Sequence, residues 1–310
     1  MNRSVFSVFF FKEDAPWNLG ICRFLFFGII FCLYLGADFS QWAKVPEVLW
    51  HPIFIFDFFR VPVFSVDVLS FLGTAWLVSL FFSSVGFLAR PSAACAFVLG
   101  FYLLGMQNSF AKTHHTESLL LIILCVLCFS RCGDGFSVDA ALRHRYGWWP
   151  GAAALKKQSW EYRWPVRFIW VMFALVFCAA GTSKLRNSGL EWITSGYMAT
   201  LFIKKGLAGD RTDPLIGWLP FWLGSKIWFC SFLAGLTVLF ECFSPLALVN
   251  RHLRMVIIPG LFFMVLGFWI VMGIPFPQLL AAFVFWVPWD RIAVRLRVDF
   301  SGVAMRATFR

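Results

Sequence analysis

The sequence predicts an all-α protein: a polytopic transmembrane helical bundle of about eight spans (seven to nine), with cytoplasmic N- and C-termini. Three observations carry this expectation. Hydrophobic residues make up 60 % of the 310-residue chain and charged residues only 14 %. Mean hydropathy is +0.76, far more apolar than a soluble domain of this size requires. Aromatic residues reach 20 %, with 40 Phe and 16 Trp, which suits a chain solvated by acyl chains and anchored at two interfaces. The formal charge of +11 sits in short connections between apolar runs, not on one continuous basic face. Its cations therefore read as determinants of orientation, and no nucleic-acid partner is expected.

Windows of about 19 residues place spans near 18–36, 65–88, 92–110, 118–130, 165–185, 227–249, 255–274 and 276–289, the fourth and eighth being short. Residues 1–16 then form a cytoplasmic N-terminal segment, 17–290 the transmembrane domain and 291–310 a basic cytoplasmic tail. The first run follows Glu13 and Asp14 and lacks the cleavage pattern of a signal peptide, so it reads as a retained helix. Between the first two spans, Trp50 to Phe59 is apolar but too brief to cross and is punctuated by Pro46, Pro52 and Pro62, which places it flat at an interface or re-entrant. With the N-terminus inside, the inside segments hold 16 Lys or Arg and the outside segments 8; Arg23, Arg167 and Lys184 fall within spans. That bias sets the orientation. The connection 131–164 contributes most, and none is long enough for a soluble catalytic domain, so any chemistry happens within or against the bilayer.

Ionisable side chains within spans are costly, and each needs a partner, a wet cavity or a route to the interface. Lys184 lies about 28 Å along the fifth span from Pro165. It reads either as a snorkelling lysine or, behind the small-residue run Ala179-Ala180-Gly181-Thr182-Ser183, as an amine enclosed by a closely approaching helix. Desolvation there would lower its pKa and make it a general base. Between the third and fourth spans, His114 and His115 adjoin Glu117. Adjacent histidines point about 100° apart on a helix and do not chelate one ion, so no metal site is expected. The open readings are an interfacial loop with a histidine bonded to Glu117, or a proton-handling role. Glu241, inside the sixth span, requires a partner, for which Arg23 near the inner end of the first span is the candidate. Eight of the nine cysteines lie in apolar segments and read as small hydrophobes. Cys125, Cys128 and Cys132 share one helical face by spacing, which fits thiol exchange or simple cysteine abundance. Nucleotide-binding, zinc-protease and serine-hydrolase motifs are absent from the sequence.

Taken in order, several stretches resemble the horizontally transferred transmembrane (HTTM) family, whose best known relative is the membrane part of the vitamin K-dependent gamma-carboxylase. They are Leu19-Gly-Ile-Cys-Arg23-Phe-Leu-Phe, the His114-His115 region, Phe136-Ser137-Val138-Asp139-Ala140, and Ala180-Gly181-Thr-Ser-Lys184-Leu185 followed by Glu191-Trp192 and Gly196-Tyr197-Met198. Phe240-Glu241 with Ser244-Pro245 is similar to a further family stretch. The resemblance implies an HTTM-like domain over 17–290, with Lys184 at the position of the lysine that deprotonates the reduced vitamin. His115 lies within one residue of a family histidine, so His114 or His115 is implied as an assistant. Ser137 and Asp139 are implied to satisfy backbone at a helix start, and Phe263 stands where the carboxylase has a histidine. The implied cofactor is a reduced quinone of menaquinol or vitamin K hydroquinone type, entering from the lipid bilayer of a bacterial cytoplasmic (inner) membrane. The implied activity is quinol-linked oxidation or carboxylation, a lyase- or oxidoreductase-type reaction. The alternatives kept open are a non-enzymatic membrane binding or maturation factor for a small secreted peptide, and a small-solute transporter.

Overall fold

The computed structural model describes residues 5–110, 116–147, 158–207, 214–289 and 291–292, and every regular element among them is helical. They form two compact units, one from the described residues of Met1–Ile169 and Val287–Arg310, the other from those of Trp170–Trp286.

The first unit contains α1 (Val5–Phe11), α2 (Pro16–Tyr34), α3 (Phe54–Phe58), α4 (Val66–Val85), α5 (Ala89–Ser109), α6 (Thr116–Phe129) and α7 (Val138–Arg145). Pro16 opens α2 at a position where a missing N–H costs nothing. Helix α4 ends on Gly86 in the left-handed conformation, φ 73°, and α5 begins three residues later. The core is built from Leu19, Phe26, Phe27, Ile30, Leu69, Trp76, Leu80, Leu103 and Leu104, all fully buried. Helix α3 carries the segment too short to span. Phe56 is buried between Phe101 and Tyr102 over Gly105, and the His51 and Ile53 amides donate to Ser109. Phe54, Phe58 and Phe59 stay exposed.

The second unit takes α8 (Trp164–Ser188) from Trp170 onward. It continues with α9 (Glu191–Thr194), α10 (Tyr197–Leu207), α11 (Leu219–Gly224), α12 (Ile227–Cys242), α13 (Leu246–Val249), α14 (Arg251–Met272) and α15 (Pro277–Ala282), which runs into a 3-10 turn, Phe283–Trp286. Asn250 caps α14 by accepting from the amides of His252 and Leu253. The expected sixth span, 227–249, is broken into α12 and α13. Pro245 has no N–H to donate to the carbonyl of Glu241 four residues earlier, and the Ser244 hydroxyl bonds that carbonyl instead, at 2.7 Å.

Five helices are long and apolar enough to cross a membrane: α2, α4, α5, the stretch Trp160–Ser188 containing α8, and α14. The sixth-, fourth- and eighth-span segments, Ile227–Cys242, Glu117–Phe129 and Pro277–Trp286, are apolar but shorter. A chain with this set of helices is a multi-pass integral membrane protein in contact with the lipid bilayer.

Candidate functional site

The stretches singled out in the sequence come together in pairs, one pair in each unit. In the first unit, Arg23 is wholly buried. Its Nη1 donates to the carbonyls of Ser83 (2.6 Å) and Ser84 (2.8 Å), and its Nη2 to the carbonyl of Phe136 (2.5 Å). The two serine carbonyls belong to the last turn of α4, where helix geometry leaves acceptors without donors and the macrodipole is negative. Gly86 is required beside them, because a Cβ there would stand 2.4 Å from Arg23 Nη1 and 2.4 Å from Ser137 Cβ.

Asp139 does the reciprocal work at the start of α5. Its Oδ1 accepts from the Leu88 amide (2.9 Å) and its Oδ2 from the Ala89 amide (2.8 Å). Ser137 caps α7, accepting from the Ala140 amide at 2.9 Å and donating to the Gly133 carbonyl at 2.6 Å. Ser137 thus serves its own helix, whereas Asp139 serves a different one. A cation and an anion from distant parts of the chain clamp the three-residue turn between α4 and α5 from its two sides. This is architecture, not chemistry.

The second unit holds the reactive pair. The Lys184 Nζ donates to Glu241 Oε2 at 2.5 Å, with side-chain exposures of 20 % and 4 %. This corrects the expected partner of Glu241: Lys184, not Arg23, neutralises it, and the guanidinium of Arg23 is spent on carbonyls of its own unit. Gly181 makes the pairing possible. A Cβ there would lie 2.8 Å from the backbone nitrogen of Cys242, from Cys242 Sγ and from Glu241 Cβ, so only glycine lets α12 approach α8 this closely. The contact continues through Ser244, whose Oγ donates to the Ala174 carbonyl at 2.8 Å, and Cys178, whose Sγ donates to the Cys242 carbonyl at 3.5 Å. Trp192 of α9 covers the amine, its ring centroid 5.6 Å from Nζ.

Other expected residues are placed differently. His114 and His115 lie outside the described residues, as does Lys112. Glu117 lies in the first turn of α6, where its Oε2 accepts from Asn108 Nδ2 at 3.5 Å. Cys132 lies beyond the end of α6, so it does not share a helical face with Cys125 and Cys128; it is buried in the following turn, which pushes its thiol pKa up, and its Sγ donates to the Leu127 carbonyl. Among the described residues no group of three or more His, Cys, Asp or Glu is placed to hold a metal ion.

Sequence reasoning missed one polar cluster in the 131–164 connection, where the cations were read for orientation alone. Asp134 accepts from Arg131 (2.7 Å), Arg143 (2.9 Å) and Tyr162 (3.0 Å), and Arg131 also reaches Glu161 (3.3 Å). The i, i+3 spacing of Arg131 and Asp134 was its only legible trace. Set against protein-family models, curated proteins and solved structures, the chain matches none.

Proposed function

We propose that the chain is a membrane enzyme of the HTTM kind, in a bacterial cytoplasmic membrane, that carries out proton transfer on a lipid-soluble hydroquinone with Lys184 as the base. The observation that carries this reading is the Lys184–Glu241 pair: a primary amine between two apolar helices, bonded to a buried carboxylate, with part of its side chain still open. As the proposed base, Lys184 would take the hydroxyl proton of a reduced quinone arriving from the bilayer. The Trp192 ring stands over the amine, its centroid 5.6 Å from Nζ. With dioxygen as the two-electron acceptor, the quinol anion so formed would give the quinone and hydrogen peroxide, the proton taken by Lys184 passing to the peroxide, and His114 or His115 is the proposed assistant.

Copurified lipid, extracted and identified by mass spectrometry, is the first test, and a bound quinone is the expected result. In a quinol-oxidation assay on the detergent-purified protein, Lys184→Ala is expected to lower turnover by about 10²–10⁴-fold. Both single variants, Lys184→Ala and Glu241→Gln, are expected to lower the melting point, because each leaves a buried partner uncompensated. If only phospholipid copurifies and abundance alone suffers, the base assignment fails.

The second reading is that the same pair merely pins α8 to α12, as its continuity with Gly181 and Ser244 favours. The chain would then be a non-enzymatic binding or peptide-maturation factor. A small-solute transporter would instead show flux in proteoliposomes that survives Lys184→Ala.

A further inference from the structure

We infer that residues 190–207 and 214–228 form a collar that seats on the phospholipid headgroup layer, with its tryptophans at the glycerol level and its lysines on lipid phosphates. Helices α10 and α11 have 11 and 6 residues, too short to cross a bilayer. Their inner faces are committed: Met198, Ala199, Phe202 and Leu223 pack with Cys230 and Ala234 of α12 and Met272 of α14 in one buried cluster. Glycines seal the pairing of the two helices, since a Cβ on Gly224 would lie 2.6 Å from Ile203 Cγ1 and one on Gly206 2.9 Å from the Phe221 ring.

The outer face has a mixed character. Trp218, Trp222 and Trp228 are 65 %, 53 % and 74 % exposed, and Lys204 and Lys226 are exposed among them. Bulk water does not favour three open indoles, and hydrocarbon does not favour two open ammonium groups; the boundary between them accommodates both. The position of the face agrees. Helix α14 has 22 residues, about 33 Å, close to the thickness of a hydrocarbon core. Its last residue, Met272, lies in the collar's own core, while Arg251 and Arg254 mark its first turn. The collar therefore begins where the apolar length of α14 ends, continuous with the lipid-facing surface of that span. Within 190–207 and 214–228 the chain carries Lys204, Lys205 and Lys226 against Glu191, an excess of the sign that lipid phosphates attract.

The test uses the full chain in proteoliposomes of phosphatidylcholine and phosphatidylglycerol. A photoreactive p-benzoylphenylalanine is introduced in place of Trp222, and separately in place of Trp228, and adducts are identified by mass spectrometry. Phospholipid adducts at both positions are expected. Adducts only with a second copy of the chain or with another protein, or no adduct at either position, would overturn the proposal. Should either substituted chain fail to insert, the unsubstituted protein is compared with Trp222→Phe for fluorescence quenching by lipids brominated near the headgroup or near the chain ends. The Trp222 contribution is expected to be quenched about twofold more by the shallow bromines; equal quenching, or stronger quenching by the deep ones, refutes headgroup seating.

Discussion

Gly181 carries no side chain because none fits. Its neighbour across the helix contact is the backbone of Cys242 as well as the Glu241 Cβ, and a backbone atom cannot swing aside. Gly181→Ala is therefore expected to cost about 1–3 kcal/mol through overpacking, read as a lower melting point in detergent, and to lengthen the Lys184–Glu241 bond. Arg23 is equally intolerant for a different reason. Three carbonyls are spread around one planar guanidinium, a geometry that a single ammonium does not reproduce. Arg23→Lys is expected to destabilise the protein by about 2–3 kcal/mol, the order of one lost charge-assisted bond, measured by thermal unfolding. Both residues stood out in the sequence as anomalies, a glycine in a small-residue run and a cation in a span. The pairings did not, because assigning Glu241 to Lys184 required knowing which helices touch.

At the level of elements, the sequence pattern located the apolar helices but misjudged where one of them stops. The run 227–249 is predominantly apolar, so hydropathy carries it through; Ser244 and Pro245 end it, and a window of about 19 residues averages that signal away. The break matters because it puts Glu241 in the final turn of α12, facing Lys184. A smaller element offers a pH test. The 3-10 turn Phe39–Lys44 is capped by Asp38, whose carboxylate accepts from the Ser40 hydroxyl, the Gln41 amide group and the Ser40 backbone. Those bonds hold its carboxyl below the usual aspartate range, the Ser40 hydroxyl contributing most. A lowered value in the folded chain means that the cap's contribution is complete above the ordinary value of about 3.9 and is lost as pH falls through the lowered one. The Ser40 amide resonance is expected to shift over that acidic interval and to stay constant above it. In Asp38→Asn the shift should vanish.

For the molecule as a whole, composition alone announced a membrane protein, since no soluble architecture absorbs 40 Phe among 310 residues. Charge placement predicts more, namely that both ends face the cytoplasm. Fusions of alkaline phosphatase to the C-terminus are expected to be inactive and fusions of a green fluorescent reporter bright; the reverse pattern would invert the orientation. The 131–164 connection shows the limit of such reading: its arginines were counted as charge, yet Asp134 gathers two of them with Tyr162 into one bonded cluster. Each unit also sets a cation among apolar helices, bonded to carbonyls in the first and to a carboxylate in the second. The clamp around Arg23 has a biosynthetic consequence. Its donor comes from residue 23, its acceptors from 83, 84 and 136, and its opposing anion from 139. A nascent chain emerging from the ribosome therefore gains the first two acceptors for this guanidinium 60 and 61 residues later and the third only after 113. Polypeptides stalled before that point would display the flaw that quality-control proteases survey.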